Sequence, residues 1–446
     1  MHPISRRQYL GSCAAGLVGL LAAACAPGAA RPAAPAAGSA CNVSLDFLIP
    51  WAPETTQEVA LQQVTRDFTA KHPACSVTVV SAPGDGVLPQ KVTTTVAAGT
   101  PPGLTSLPPS WTTTFATNKL IKSVLDLFKR DKLRLEDFPP ALQRPMNYNG
   151  QLWYMSFNAN ADFVLHWNKK HFREAGLDPE KGPATTAELD DYIRRLTWEE
   201  GGELKRLGCW LWNFYGHGNT IQAWGYAHGG SFYDEKKDQM TFSDPKIMEA
   251  VEWYTGWARR IGDARAKALS GQALPGGTHF FATGHYSIHV LTSTGLFGVL
   301  KYDPTMEIGA GPFPGKTRDL AGTVTIGGWG ASAAASDAQR EAAWQFMKYV
   351  GADPEGTTSL VKLGGSLPAH LPSPAFEVAA KDPNMKPYVD AIRRAKGVQL
   401  GYFAPVEINL NPIQDVIDGK VGVKEALETV DREVNARIRE LNLKPR

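Results

Sequence analysis

Residues 42–49, Asn-Val-Ser-Leu-Asp-Phe-Leu-Ile, alternate polar and apolar side chains as a half-buried strand does, and Pro50-Trp51-Ala52-Pro53 breaks the run. Over 54–71 apolar side chains return at Leu61, Val64 and Phe68, a helical stripe that His72-Pro73 stops. A second strand follows over 76–80. Leu88, Val92 and Val96 recur at every fourth position and predict a second helix ending at Gly99. A short strand over 104–107 precedes Pro108-Pro109. This strand–helix–strand–helix–strand order implies a parallel sheet with right-handed crossovers. Such sheets bind ligands beyond the carboxyl ends of their strands, where Trp51 and the pair Ser110-Trp111 stand. Further on, 189–196, 245–261 and 339–350 are helical by period, and 423–441 is a closing helix with charged outer positions. The chain shows neither a repeat of fixed period nor a coiled coil.

The apolar run at the start has a different meaning. Ser5-Arg6-Arg7-Gln8-Tyr9-Leu10 precedes apolar residues over 14–24, roughly half the length of a bilayer-spanning helix. A charged start, a short apolar stretch and small residues at its end describe an export signal over 1–24. The SRRQYL string resembles the twin-arginine signal, with Tyr9 where Phe is usual; a general secretory signal carrying two arginines is the other reading. Cys25 ends the run in LLAAAC, which resembles a lipoprotein cleavage site that would leave Cys25 first in the mature chain and lipid-bearing. Ordinary cleavage after Ala22-Ala23-Ala24 is the alternative. LGSC, ending at Cys13, fits the letters better but lies before the apolar run. Residues 25–40 are rich in Ala, Pro and Gly, with Arg31 the single charge, too poor in large apolar groups to pack. They read as a flexible tether, which favours lipidation.

The 446 residues suit two lobes of moderate size, and 43% hydrophobic residues supply their cores. Acidic and basic residues, 44 against 46, nearly cancel. That balance leaves no field to hold nucleic acid or an acidic membrane surface. In an exported chain disulfides persist. Cys41 and Cys75 each precede a strand-like run, so adjacent parallel strands would bring them to one edge of a sheet. A Cys41–Cys75 disulfide is expected, closing a loop of about 33 residues and contributing roughly 3 kcal/mol. Cys209, beside Trp210 and Leu211, reads as a buried free thiol.

Several strings then fall in one order along the chain: DFTAKHPACSVTVV, KVTTTVAAGTPPGLTSL, NGQLWYMSFNANADFVLHWNKKHFREAGLD, AWGYAHGGSF, FFATGHYSI, IGGWGASAAAS and GKVGVKEALETV. In this order and spacing they resemble the family-1 extracellular solute-binding proteins, the group that includes maltose-binding protein, over nearly the whole mature chain. Asn168-Lys169 matches that family's asparagine-lysine pair; Gly103 and Ser156 depart from its usual Asp and Pro. The resemblance implies an α/β, two-lobe, type II periplasmic-binding-protein fold with the ligand in the cleft between lobes. The lobes would comprise 41–157 with 308–350 and 160–305 with 352–446, joined by crossings near 157–160, 305–309 and 351–353. It also implies hinge closure on the ligand, docking of the closed monomer on the membrane subunits of an ABC permease, and no cofactor.

Sugars present polar rims and apolar C–H faces, so their sites combine flat aromatic platforms with hydrogen-bonding groups. Matched position by position, the resemblance implies Trp51 and Glu54 after the first strand and Ser110 and Trp111 after the third. In the second lobe it implies Trp212 and Tyr215 in LWNFYGHG and Thr294 after HYSIHVL. It adds Trp329 in IGGWG, where Gly327 and Gly328 would let a ligand approach the backbone, and Tyr402 in the GYFAP loop, with Phe403 read as packing. Each has a plainer reading: a tryptophan as core filler, or Glu54 as a cap on the first helix. The ligand expected is a carbohydrate. Glycerol phosphate or another polyol ester is the runner-up, which a dense group of Arg or Lys in the cleft would favour.

Enzymatic chemistry finds little support. HExxH, GxSxG and paired CxxC are absent from the sequence. His285 and His289 sit in a strand-like run that splays them, so no metal site is expected. The stretch 310–317, AGPFPGKT, fits the loose phosphate-loop pattern, but two prolines remove backbone donors that such a loop needs. Carboxylate pairs such as Glu199-Glu200 are the kind that a glycan-active enzyme would need across a cleft; acidic residues of this kind are ordinarily just solvated, and nothing in the sequence pairs them across a cleft. A structural surface protein, without a hinge or ligand, is the remaining alternative.

Overall fold

The computed structural model describes residues 43–441 apart from 84–86, 108, 162–163, 215, 271–279, 317–323, 326–327, 365–366, 396, 399 and 404–405. Its main elements begin with β1 (Val43–Ile49), α1 (Thr56–Lys71), β2 (Cys75–Ser81), α2 (Val87–Ala97), β3 (Leu104–Leu107), α3 (Pro109–Thr117) and β4 (Ile121–Lys122). Then α4 (Pro140–Met146) leads into β5 (Met155–Ser156), β6 (Asn158–Ala161) and β7 (Val164–Asn168). After β8 (Trp198–Glu200) and β9 (Glu203–Cys209) come α5 (His217–Ala227), the hairpin β10 (Tyr233–Asp234) and β11 (Gln239–Met240), and α6 (Pro245–Ile261). Next are β12 (Tyr286–Leu291), α7 (Ser293–Tyr302), β13 (Ile308–Pro312), β14 (Val324–Thr325) and β15 (Gly328–Ser332). The chain closes with α8 (Asp337–Gly351), α9 (Pro354–Gly364), β16 (Leu367–Pro368), α10 (Lys386–Arg394), the short α11 (Leu400–Phe403), α12 (Asn411–Ile417) and α13 (Val423–Glu440).

The elements expected from periodicity are present because local chemistry agrees with the stripe. In α6, Asp244 caps the N-terminus, accepting from the Lys246 and Ile247 amides at 2.8 and 3.4 Å. Pro245 occupies the first turn, and Gly262 at φ 91° ends the helix. The parallel pairing expected at the start is also there: β1 lies between β2 and β3, with Val43 opposite Cys75.

The first sheet has the order β2-β1-β3-β15-β4, with β5 beside β15. The second has the order β8-β9-β12-β7-β13. A small three-stranded sheet, β14-β6-β16, connects them. The chain leaves the first sheet at β5, passes through β6 and enters the second at β7. It returns from β13 through β14 to β15, then goes out again through β16 to α10, which packs on β6, β7 and β13. All three crossings therefore run through one small sheet. This is a type II periplasmic-binding-protein fold of two α/β lobes.

The chain first passes between the sheets through β6, Asn158–Ala161. The second crossing comes later than 305–309, because Ile308–Pro312 is still a strand of the second sheet, paired antiparallel with β7. Its glycines, which read as a loop, make room for an indole: a Cβ at Gly309 would lie 2.1 Å from Trp167. The third crossing also comes later than 351–353, because α9 packs against α1 and α8 of the first lobe. Residues 308–312 therefore stay with the second lobe and 354–364 with the first.

Cys75 is disulfide-bonded, while Cys41 and Cys25 lie outside the described residues, as does the whole of 1–42. Cys209 is a buried free thiol whose pKa burial pushes up. Among the described residues, no helix is long and apolar enough to cross a membrane.

Candidate functional site

On the first-lobe side, the turn after β1 carries Trp51, half-buried against the core, and Glu54, which is exposed. Glu54 has φ 69°, a left-handed conformation, and its amide donates to Glu58 Oε2 at 3.1 Å. The cap of α1 is Thr55, whose side chain accepts from the Glu58 amide. Glu54 thus does not cap the helix, and its carboxylate is left free for another use. Trp111 is half-buried in the first turns of α3, near-parallel to Phe115 with centroids 6.1 Å apart. Ser110 stands beside it in α3, and its side chain lies outside the described set.

The next two residues of α3 were not singled out by sequence. Thr112 and Thr113 are both fully buried, and their hydroxyls have no hydrogen-bond partner. Tyr154, just before β5, is also fully buried with an unpartnered hydroxyl. Burial pushes its pKa up, and the nearby Tyr402 phenol adds to this. Helix α3 packs on α4 and α11, and α4 packs on β5, so these hydroxyls sit on adjoining elements. A buried hydroxyl without a partner costs about 1–3 kcal/mol. Threonines within a polar run give no sequence signal of burial.

Trp329 corrects an expectation. It is fully buried, with Phe157 and Phe346 stacked on it at centroid distances of 4.3 and 5.3 Å and Phe47 at its edge. Strand alternation in β15 sends it into the lobe's core, and with both faces covered it offers no platform. Gly328 serves packing as well: a Cβ there would lie 1.9 Å from the Tyr154 ring. Gly327 lies outside the described residues.

On the second-lobe side, Trp212 is buried and donates through Nε1 to Asp263 Oδ1 at 2.8 Å. Asp263 also pairs with Lys267 at 2.6 Å and accepts from Gln414 Nε2 at 3.3 Å. Burial lowers the pKa of the neighbouring His217 imidazole, a trend that its bond to Gln414 opposes. The Trp212 ring is therefore held by an acidic anchor and lies inside the lobe. Tyr215 is outside the described residues, and Thr294 stands in α7 with its side chain outside them too. Tyr402 is fully buried in α11, 5.7 Å below the Arg144 guanidinium. Asn168 explains the asparagine-lysine pair: it ends β7 and caps the following helix, accepting from Lys170 and His171 amides at 3.0 and 3.3 Å. His289 is buried within β12, and no group of three metal-ligating side chains occurs among the described residues.

Residues 63–387 match the family of bacterial extracellular solute-binding proteins. The chain belongs to that family. Membership places this solute-binding protein outside the cytoplasm, among proteins that bind rather than transform their ligands. It is 23% identical over 363 residues to the maltotriose-binding protein of Pyrococcus abyssi, covering 81% of this chain and 73% of that one. It is 22% identical over 353 residues to the sn-glycerol-3-phosphate-binding periplasmic protein UgpB of Escherichia coli, covering 74% and 77%. Among solved structures, CpMnBP1 with mannotriose bound superposes with a TM-score of 0.73 at 21% identity, over 88% of this chain and 100% of that one.

Proposed function

We propose that this solute-binding protein captures an oligosaccharide or related sugar between its lobes and delivers it to the membrane subunits of an ABC permease. The observation that carries this reading is the set of buried, unpartnered hydroxyls at Thr112, Thr113 and Tyr154, flanked by the half-buried indole of Trp111. These hydroxyls have no accessible surface while α3 packs on α11. A ligand rich in hydroxyls would satisfy them only as these two helices part, and an indole face suits its C–H surface. Trp51, Glu54, Ser110, Tyr215 and Thr294 remain candidates for the outer contacts. The reading includes a monomer exported by its N-terminal signal, tethered through lipid on Cys25 and closed by a Cys41–Cys75 disulfide.

The test is a thermal-shift screen of the full-length protein against sugars, polyols and sugar phosphates. A ligand at a hundredfold its dissociation constant adds about 2.7 kcal/mol to the folded state, a rise of several degrees. Thr112→Val and Thr113→Val should leave the free protein as stable or more so, while shrinking the shift given by an oligosaccharide. The likeness to the glycerol-phosphate-binding protein favours a second reading within the same fold, and a shift only with phosphorylated polyols would select it. No shift across the panel would overturn both.

A further inference from the structure

The second lobe sends a short aromatic segment over to the first. Val398 and Leu400–Phe403 lie between α10 and α12, both of which belong to the second lobe. The segment is anchored there by hydrogen bonds from α5. Gln222 Oε1 accepts from the Leu400 amide at 2.9 Å, and the Tyr226 hydroxyl donates to the Val398 carbonyl at 2.7 Å. Phe403 stacks on Tyr233 of the β10–β11 hairpin, with centroids 4.8 Å apart and planes at 12°. Yet α11 packs on α3, a helix of the first lobe.

Arg144 of α4 meets this segment from the first lobe. Its guanidinium lies 5.2 Å from the Phe403 ring centroid and 5.7 Å from that of Tyr402. Its Nη1 also pairs with Glu235 of the second-lobe hairpin at 3.1 Å. One side chain thus touches two aromatic rings and a carboxylate, all across the lobe boundary. Planar guanidinium suits this geometry, because it can lie over rings while its N–H edge remains free to pair.

We infer that Arg144 is a latch that holds the second-lobe segment Leu400–Phe403 against the first lobe, and so sets the balance between open and closed lobes before any ligand arrives. The ion pair with Glu235 is largely exposed, at 39% and 73% side-chain accessibility, so it is the weaker, salt-sensitive half. Contact with the two buried rings is the stronger half. A latch of this kind raises the apparent affinity of whatever ligand needs the closed form, because the closed fraction divides the intrinsic dissociation constant. It needs no ligand to act. Its fate is therefore separate from that of the sugar reading.

The experiment is amide hydrogen exchange on the ligand-free, full-length protein, with small-angle X-ray scattering of the same samples. In Arg144→Ala, exchange in Leu400–Phe403 should rise by about tenfold, as expected for losing a partly desolvated cation–π contact together with its ion pair. Exchange in β1 should stay unchanged, and the scattering radius should grow. Glu235→Gln should raise exchange in the same segment by about twofold, and about 0.5 M salt should have the same effect on the unaltered protein. Phe403→Leu removes the ring while keeping bulk and should behave like Arg144→Ala. Unchanged exchange and scattering in Arg144→Ala would overturn the latch. So would acceleration spread evenly into β1, which would mark a general loss of stability.

Discussion

Trp329 in the first lobe and Trp212 in the second are buried by different means, although first-lobe Trp344 also donates, to Asp131 at 2.9 Å. In the first, Trp329 is held by rings alone: Phe157 and Phe346 cover its faces, Phe47 meets its edge, and its own Nε1 has no hydrogen-bond partner. In the second, Trp212 donates to Asp263 at 2.8 Å and Trp224 to the Leu211 carbonyl at 2.8 Å. Trp253 and Trp257 both donate to Asp190, at 3.0 and 2.6 Å. Histidines share the second interior as well: His166 contacts the Val164 carbonyl and the Tyr388 hydroxyl, each at 3.0 Å, and His171 contacts the Ser287 hydroxyl at 3.1 Å. A core built on shape answers to volume. One threaded with hydrogen bonds answers to proton concentration and to the loss of single partners.

The largest effect expected is on the first lobe. Trp329→Ala should cost about 3–5 kcal/mol, read as a fall in the urea midpoint. If the variant were as stable as the parent, the picture of Trp329 as core would fail.

Acid should act mainly on the second lobe. Burial lowers the His171 pKa to about 4, with nearby Arg206 lowering it further and Glu174 opposing. His217 and His228 move in the same direction for the same first reason. A histidine with a depressed folded pKa stays neutral while its unfolded counterpart takes up a proton. Stability is therefore complete above the ordinary value near 6.5 and is lost as pH falls from there toward 4. For His171 the loss is of order 3 kcal/mol. It should appear as lower amide protection factors in β7, β9 and β12, referred to the intrinsic exchange rate at each pH, as pH falls from 7 to 4.5, and the fall should be smaller in His171→Gln. In the first lobe His370 shares the direction, also through burial, so the contrast is one of degree. There Asp131 accepts from Arg130, Lys348 and Trp344 at 2.8, 2.8 and 2.9 Å. These bonds hold its carboxyl far below the usual range although burial opposes them. That contribution survives until strong acid. Equal acid sensitivity in both lobes would break the comparison.

The smallest effect sharpens it. Trp212→Phe keeps most of the volume but removes the donor to Asp263, and should cost about 1 kcal/mol in thermal or urea unfolding. A cost as large as that of Trp329→Ala would mean that shape rules the second lobe too.

Much of the fold was legible because stripes and stops agree. α6 shows its capping Asp, its first-turn Pro and its closing Gly in the letters alone, and strand alternation announced β1. The second crossing was not legible, because Ile308–Pro312 carries two glycines and a proline and reads as a turn. Only the Trp167 indole, distant in sequence, explains them as strand. The aromatics at the strand ends, Trp51 and Trp111, were legible as positions, and the structure places both half-buried on the first lobe. The site was misread at Trp329, because a motif fixes position along a strand but not which face the side chain takes. Thr112, Thr113 and Arg144 gave no signal at all, since burial of a threonine and contact across lobes both depend on long-range packing.

The three-stranded connecting sheet has a consequence for how the chain is made. The first sheet needs β15, and its helical layer needs α8 and α9, so the first lobe is incomplete until residue 364 has been synthesised. The second lobe waits longer still, for α13. Neither lobe is a contiguous stretch of chain, and the first can finish folding only after most of the second sheet has been made. Truncation from the carboxyl end therefore removes parts of both lobes in turn, and no single cut releases either as a free-standing domain.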